Sequence, residues 1–365
     1  MRILFLSNAA SIHTVRWVNA LSERGHEVHL VYKFDDIPKE NEISEKVNQY
    51  RLKYSGTKGY FLNAIQLRQL SRRINPDIVN AHYASGYGTL VRLARLHPVV
   101  LSVWGSDVYE FPYQSKFKMK ILLDNLRYAN VVASTSASMA EQVRLLLNDE
   151  NMKVHITPFG VDMSKYKKSK ITINTDKIVI GNIKSLKKVY GIEYLIKATY
   201  ILKNKLKSNN KIELSEKIIT VIYGDGILRE ELELLVKELG LQDSVFFKGK
   251  IPNSEVPRAL EEFDIFCATS NQESFGVSLV EAMAMGLPVV ATDVPGFREV
   301  VDHEKTGIIV ENKNPEKIAY ALEKLIFNRE LRKELGENGR NRVEELYNWE
   351  NNVTKMLEIY ERLSK

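Results

Sequence analysis

Cysteine is nearly absent. The 365-residue chain holds one, Cys267, so an internal disulfide cannot form and a cysteine-built zinc cluster is excluded. A reducing compartment such as the cytoplasm fits that economy. Long apolar runs are missing as well, since no stretch approaches the roughly 18 residues of a membrane span. Any membrane contact is therefore expected to be peripheral, at the inner face of the cell membrane. The opening MRILFLSNAA imitates an export signal, but its apolar core, Ile3 to Leu6, is about half the length such a signal needs and reads as a strand. No Asp-x-Asp pair occurs. His26 and His29 stand an odd number of residues apart in a predicted strand, on opposite faces, so no metal is expected. No G-x-G-x-x-G follows a predicted strand: FLSNAAS has no glycine, and GDGILR at 224–229 supplies only the first half. That removes the main ground for a nicotinamide-dependent oxidoreductase.

The chain has 44% hydrophobic residues, 27% charged residues and only 10 prolines, which describes an ordinary folded protein rather than a disordered one. Its length suggests two domains. A formal charge of +6 favours an acidic partner: a nucleotide, an anionic lipid surface or a nucleic acid. Without a long Lys/Arg block or a nucleic-acid module, nucleotide and phosphate binding explains the excess most economically, and no nucleic acid is expected.

Short apolar runs alternate with segments of helical period. RILFL, EVHLVY, DIVNAH, VVLSVW, VVAST and VHITP read as strands, and the helix from Ile12 to about Arg24 stops at Gly25. After a polar, lysine-rich stretch the pattern restarts with KIVIGNI, IITVIYG, SVFFKG, DIFCATS, PVVATD and TGIIVE. Such alternation predicts parallel strands joined by right-handed crossovers. The expected fold class is α/β, with two doubly wound parallel-sheet domains facing a cleft. Residues 1–165 form the first, 166–177 a linker and 178–348 the second, and NNVTKMLEIYERLSK forms a closing helix. Ligands of such sheets bind at the C-terminal ends of the strands.

ESFGVSLVE, residues 273–281, sets two acids eight apart around the expected start of a helix near Ser274. A helix N-terminus with small residues attracts anions, because its first N–H groups are unpaired. Glu281 would lie roughly 10 Å along the axis, about the span of a diphosphate and a ribose. Ser278 and Glu281 also spell a capping box, and spacing alone favours that plainer reading.

SNQESFGVSLVEAMAMGLPVVATDVPGFREVV resembles the donor-site segment of the GT-B glycosyltransferases of family four (glycosyl transferases group 1), a retaining group with an E-x7-E motif. VIYGDGILREELELLVKELGL, GKIPNSEVPRALEEFDIFCATS and TGIIVENKNPEKIAYALEKLI are similar to its neighbouring segments, in the same order. NWENNVTKMLEIYERL is similar to the helix, about 349–365, that crosses back onto the first domain. The resemblance implies that Glu281 binds the ribose hydroxyls of a nucleotide-sugar, since a carboxylate accepts two hydrogen bonds. It implies that Glu273 lies beside the transferred sugar and leaving phosphate, that Ser274, Phe275 and Gly276 offer backbone donors, and that Gly224 shapes the donor loop.

The departing diphosphate needs positive charge. The family commonly shows G-R-x-x-x-x-K-G, whereas this chain reads GNIKSLKKVYG, with Asn182 where arginine is frequent. Lys184 and either Lys187 or Lys188 are the substitutes, unless they form a solvated basic loop. SVWGSDVYEF is similar to the family's T-x-H-G-x-D, with Trp104 in place of the histidine and Asp107 retained. Asp107 would orient the acceptor hydroxyl or help carry its proton, or else serve as an N-cap. His13 and Tyr83, with His82, are further acceptor-side candidates. PYQSKFKMKILLDNLR interleaves Lys116, Lys118, Lys120 and Arg127 with apolar residues, as in a helix lying on an anionic membrane or one merely covering a sheet.

The expected function is a metal-independent, cofactor-free, retaining transfer of a hexosyl or N-acetylhexosaminyl group. The donor would be a nucleotide diphosphate sugar, most readily a UDP-sugar, and the acceptor a hydroxyl of a glycan or lipid-linked molecule in cell-surface polysaccharide assembly. A small soluble acceptor, or a non-catalytic scaffold of the same fold, are the alternatives.

Overall fold

The computed structural model describes residues 1–38, 42–167 and 176–364. The chain divides into two compact units, Met1–Phe159 with Glu350–Lys365, and Gly160–Trp349.

The first unit carries seven strands: β1 (Arg2–Leu6), β2 (Glu27–Tyr32), β3 (Asn48–Arg51), β4 (Ile78–His82), β5 (Val99–Val103), β6 (Val131–Ser134) and β7 (Val154–Ile156). They are all parallel, in the order β3-β2-β1-β4-β5-β6-β7. Chain order reverses beside β1, where β2 and β4 flank it, so the loops after β1 and β4 mark the topological switch point at which such sheets usually take their ligands. β4 and β5 are buried throughout, because helices cover both faces and leave no solvent side for alternating polar residues. β3, with sequence NQYR, is exposed along most of its length. It holds the sheet's outer edge by main-chain pairing to β2, which explains why its residues carry no apolar signature.

The helix Trp349–Leu363 belongs almost wholly to this first unit. Trp349, Asn352, Val353, Met356, Ile359 and Tyr360 are its buried residues, spaced for one helical face. Asn80, a polar side chain in the middle of β4, donates to the Tyr360 hydroxyl and accepts from Ser102 Oγ at 3.2 Å. Both ends of the buried amide are thereby satisfied.

The second unit carries β8 (Ile178–Ile183), β9 (Ile218–Tyr223), β10 (Val245–Gly249), β11 (Ile265–Ala268), β12 (Val289–Thr292) and β13 (Ile308–Val310). They are parallel in the order β10-β9-β8-β11-β12-β13. Its core packs Ile180, Ile222, Ile265, Cys267 and Val290 of the sheet under Leu195, Leu202, Leu322 and Leu325 of the helices Ile192–Ser208 and Pro315–Phe327. Most of the expected linker, residues 168–175 of 166–177, lies outside the described residues. Its first residue already packs in the second unit: Tyr166 is buried and its carbonyl accepts from Arg340 at 2.8 Å. Val161 likewise bridges to Asn348.

Candidate functional site

In the second unit the strands β8 and β11 end beside one another, and two charged side chains meet there. Lys184 follows β8 directly, and its N–H still donates to the Tyr223 carbonyl at 2.9 Å. Its ammonium lies 2.6 Å from a Glu273 carboxylate oxygen, with side-chain exposures of 20% and 13%, and 4.4 Å from the centre of the Tyr190 ring. The cation is therefore held on two sides, by charge and by a π face.

Gly224 is what lets Lys184 sit so close to the neighbouring loop. Its φ is +140°, and a Cβ there would fall 1.9 Å from the Lys184 carbonyl oxygen. Leu186 N–H then donates to the Asp225 carbonyl at 3.0 Å, while Leu228 N–H donates to the Leu186 carbonyl at 3.2 Å. The GDG turn thus acts on Lys184 through its backbone. Lys187 and Lys188 are exposed. The Lys188 carbonyl accepts from the Asn271 side chain at 2.8 Å, and Asn271 N–H donates to the Val189 carbonyl at 2.8 Å. Their backbone is anchored to the loop that carries Glu273 while both side chains reach outward.

That loop is itself clamped. Gly296 N–H donates to the Glu273 carbonyl at 3.1 Å, and a Cβ on Gly296 would meet Glu273 O and Phe275 N at 2.6 Å. Phe275 is buried, with its ring 5.4 Å from that of Tyr347. Gly276, with φ +96°, caps the helix Val277–Ala284. The helix starts three residues later than Ser274, because Gly276 must turn left-handed under the Phe297 ring before the helical bonds begin. Ser274 lies in the approach to it, half-buried.

With Gly276 as the cap, Ser278 falls inside the first turn and no side-chain cap forms. The capping-box reading is thereby removed. The Glu281 carboxylate instead accepts from the Tyr166 hydroxyl at 2.7 Å. Arg340 fixes Tyr166 in turn, since its guanidinium donates to the carbonyls of Tyr166 and Ala284. Tyr166 was not foreseen, because it lies far from the E-x7-E motif in sequence and carries no motif of its own. Asn182 is buried in β8 and donates to the Cys267 carbonyl at 2.7 Å. It ties β8 to β11 from inside the sheet, so the positive charge sits two residues on, at Lys184.

In the first unit Asp107 is buried. Its carboxylate accepts from the N–H groups of Ala84 at 2.8 Å, Gly105 at 2.8 Å and Trp104 at 3.1 Å. It therefore joins the loop after β4 to the loop after β5. Burial pushes its pKa up against those three bonds, which pull it down. The loop after β4 is strained at Tyr83, whose φ is +74°, a backbone that persists in a non-glycine residue only where its surroundings enforce it, while Gly105 supplies the φ of +137° that the loop after β5 needs.

Trp104 stands between His82, with ring centres 4.8 Å apart, and Tyr83 at 5.3 Å. His13 stacks on Phe159 at 3.8 Å and meets the Trp104 edge at 5.7 Å. The structure thus gathers His13, Tyr83, Trp104 and His82 at the ends of β1, β4 and β5, with Phe159 added. Both His82 nitrogens and His13 Nδ1 are buried without a hydrogen-bond partner. Burial lowers the pKa of His13 to about 3, helped by Arg16, and that of His82 to about 3, helped by His13.

Among the described residues no group of three or more His, Cys, Asp or Glu could hold a metal ion, and no helix is long and apolar enough to cross a membrane. In the helix Lys116–Tyr128 the residues Ile121, Leu122 and Leu126 turn into the core.

The family described as glycosyl transferases group 1 matches residues 164–342, and that described as glycosyl transferase 4-like matches residues 2–136. The chain is similar to the N-acetyl-α-D-glucosaminyl L-malate synthase of Bacillus anthracis, at 27% identity over 93% of this chain and 90% of that one. It is similar over 51% of its length to the poly(ribitol-phosphate) α-N-acetylglucosaminyltransferase of Staphylococcus aureus, at 29% identity and 36% of that protein. In structure it resembles HepE of Anabaena, solved with UDP and glucose. That match has a TM-score of 0.80 and 19% identity, and covers 100% of both chains. With one matched segment in each unit, the chain belongs to the group 1 glycosyl transferases and has the GT-B fold.

Proposed function

We propose that the protein is a retaining glycosyltransferase that moves a hexosyl or N-acetylhexosaminyl group from a UDP-sugar to a hydroxyl of a glycan or lipid-linked acceptor in polysaccharide assembly. The observation that carries this reading is the pairing of Lys184 with Glu273 beside the helix that presents Glu281. A diphosphate entering there would meet one cation at the start of the leaving group's path, and the Tyr166-held carboxylate would face the ribose.

In this mechanism Lys184, with Lys188 or Lys187, stabilises the charge that develops on the departing β-phosphate. Glu273 positions the sugar, and the backbone of Ser274, Phe275 and Gly276 holds phosphate oxygens. The acceptor oxygen attacks the anomeric carbon from the face the phosphate leaves, while a phosphate oxygen takes the acceptor's proton. The C–O bond to the acceptor forms as that to the phosphate breaks, so the anomeric configuration is kept. Asp107 fixes the loops that carry Trp104 and Tyr83, and these, with His13, line the acceptor side. We assign no metal and no cofactor to the reaction. The chain's one, buried cysteine fits the cytoplasmic side of the membrane.

A small soluble acceptor is the second reading, favoured by the near full-length similarity to an enzyme named for L-malate. Screening nucleotide-sugars by thermal shift and donor hydrolysis tests the proposal, since a ligand of the native state raises Tm. UDP and one UDP-sugar should stabilise the protein. A response to no nucleoside diphosphate overturns it, and NMR of the product's anomeric centre decides retention.

A further inference from the structure

From Arg51 to Pro76 the chain contains no Asp or Glu, yet it holds Arg51, Lys53, Lys58, Arg68, Arg72 and Arg73. In a chain with 46 acidic residues so long a gap is a local charge separation, and the structure shows where it points. The segment follows the edge strand β3 and forms the helices Gly56–Leu62 and Ala64–Ile74. Asn63, between them, keeps a helical backbone at φ −79°, ψ −3°. Gly59, Asn63, Leu67, Leu70 and Ile74 are buried, while Lys58, Phe61, Leu62, Ile65, Gln69, Arg72 and Arg73 are exposed. Both sets keep helical spacing, so one stripe faces the core and the other faces outward.

The outward stripe is apolar in its middle and cationic at both ends. Ile65 is 70% exposed, Leu62 54% and Phe61 43%. Tyr54, also exposed, is fixed beside them by Asn63, whose side chain bonds both its N–H and its carbonyl, at 3.0 and 2.9 Å. The nearby acids are already engaged. Asp35 pairs with Lys33 at 3.0 Å and accepts from Gly56 N–H at 3.1 Å, and Asp36 lies 3.7 Å from Lys33 and accepts from the Tyr87 hydroxyl.

We infer that this stripe is a docking face for an anionic phospholipid bilayer. Bulky apolar side chains standing out of a helix gain by entering the acyl boundary, and flanking cations with long stems keep their charge at the headgroups. The absence of any acid along the whole segment is what an anionic surface requires and what an ordinary solvated helix does not. The basic helix Lys116–Tyr128 is a poorer fit, because Ile121, Leu122 and Leu126 are buried and Phe117 alone of its large apolar residues stands exposed, where the other stripe presents three together. The inference goes beyond the transferase reading and is tested without any nucleotide-sugar.

The experiment is co-sedimentation of the full chain with phosphatidylglycerol/phosphatidylcholine vesicles and with pure phosphatidylcholine vesicles. Binding to the anionic vesicles alone, weakened by salt, is expected. Lys58→Gln with Arg72→Gln and Arg73→Gln should weaken it on the order of 100-fold at low salt. Phe61→Ser with Leu62→Ser and Ile65→Ser should also release the protein, and both variants should keep the parent's Tm because every changed side chain is exposed. An Ile65→Cys variant gives a second measurement, since the native Cys267 is buried and an environment-sensitive thiol label reports position 65 alone. Its emission should shift to the blue on anionic vesicles. No vesicle binding, equal binding to neutral vesicles, unaffected variants or a silent label would each overturn the inference. So would a solution dimer that the same variants split without vesicle uptake, which would assign the stripe to a second copy. Donor hydrolysis of the variants keeps the two conclusions separate, because it reads the transferase site whichever way the vesicles answer.

Discussion

Lys184 and Glu273 stand 89 residues apart in sequence and 2.6 Å apart in space. A partly buried cation and anion at that distance neutralise each other and fix each other's rotamers, so removing either leaves an uncompensated charge. A diphosphate would draw the ammonium toward itself and free the carboxylate for the sugar. Lys184→Ala should lower the rate of donor turnover by about 10²–10³, and Glu273→Ala should act mainly on kcat. Lys187→Ala and Lys188→Ala should each cost less. Steady-state kinetics of UDP-sugar hydrolysis check this ranking, and a Lys188→Ala defect as large as that of Lys184→Ala would move the principal cation.

Tyr166 touches Glu281, so its effect should appear in donor affinity. Losing one hydrogen bond to a charged acceptor costs about 1.5–3 kcal/mol at most. Tyr166→Phe should therefore raise the donor KM roughly tenfold while kcat stays close to the parent's, and Glu281→Ala should raise KM further. A fall in kcat alone would contradict the assignment of Glu281 to the ribose.

Gly224 and Gly240 form a matched pair for testing backbone packing. Both have positive φ, but a Cβ at Gly240 meets nothing within 4 Å, whereas at Gly224 it falls 1.9 Å from a backbone oxygen. Gly240→Ala should cost about 1–2 kcal/mol, the left-handed penalty alone. Gly224→Ala must also move Lys184, so it should lower Tm further and reduce donor turnover with it. Differential scanning calorimetry and hydrolysis assays on the two variants separate these effects.

The unpartnered histidines make acid sensitivity a property of the first unit. The folded pKa values of His13 and His82 lie near 3, below the ordinary 6.5. Between those values the unfolded chain binds more protons than the folded one, so stability falls as pH falls. The contribution is fully present above about pH 6.5 and is lost progressively toward pH 3, at about 2 kcal/mol per histidine by pH 5. Urea midpoints at pH 7.5 and 5 should differ accordingly, and His82→Gln should reduce the difference. Equal midpoints would show that the two rings are hydrated.

The strands that build both cores are readable from sequence because parallel, doubly covered strands must be continuously apolar, as in VVLSV and IVIGNI. β3 escapes that logic: of its four residues only Tyr50 packs against the core, and the rest are exposed, so pairing with β2 rather than an apolar pattern makes it a strand. The helix Arg329–Leu346 is missed for a related reason, since only Leu335, Gly336, Gly339 and Val343 of its 18 residues are buried. At the site, the E-x7-E motif and the GDG turn can be read locally. Tyr166 cannot, because its hydroxyl reaches Glu281 across 115 residues. The capping box shows the opposite error: its letters are right, but a left-handed Gly276 held by Phe297 moves the helix start past Ser274. Asn182 departs from the family's arginine for a reason only the strand pairing reveals, namely its bond into β11.

The bond between Asn80 and Tyr360 closes over 280 residues, and the whole second unit is spelled out between them. During synthesis the first sheet therefore emerges long before the helix that satisfies its central asparagine. Its final closure must wait for the ribosome to finish Gly160–Trp349, which reverses the usual order in which the leading domain matures first.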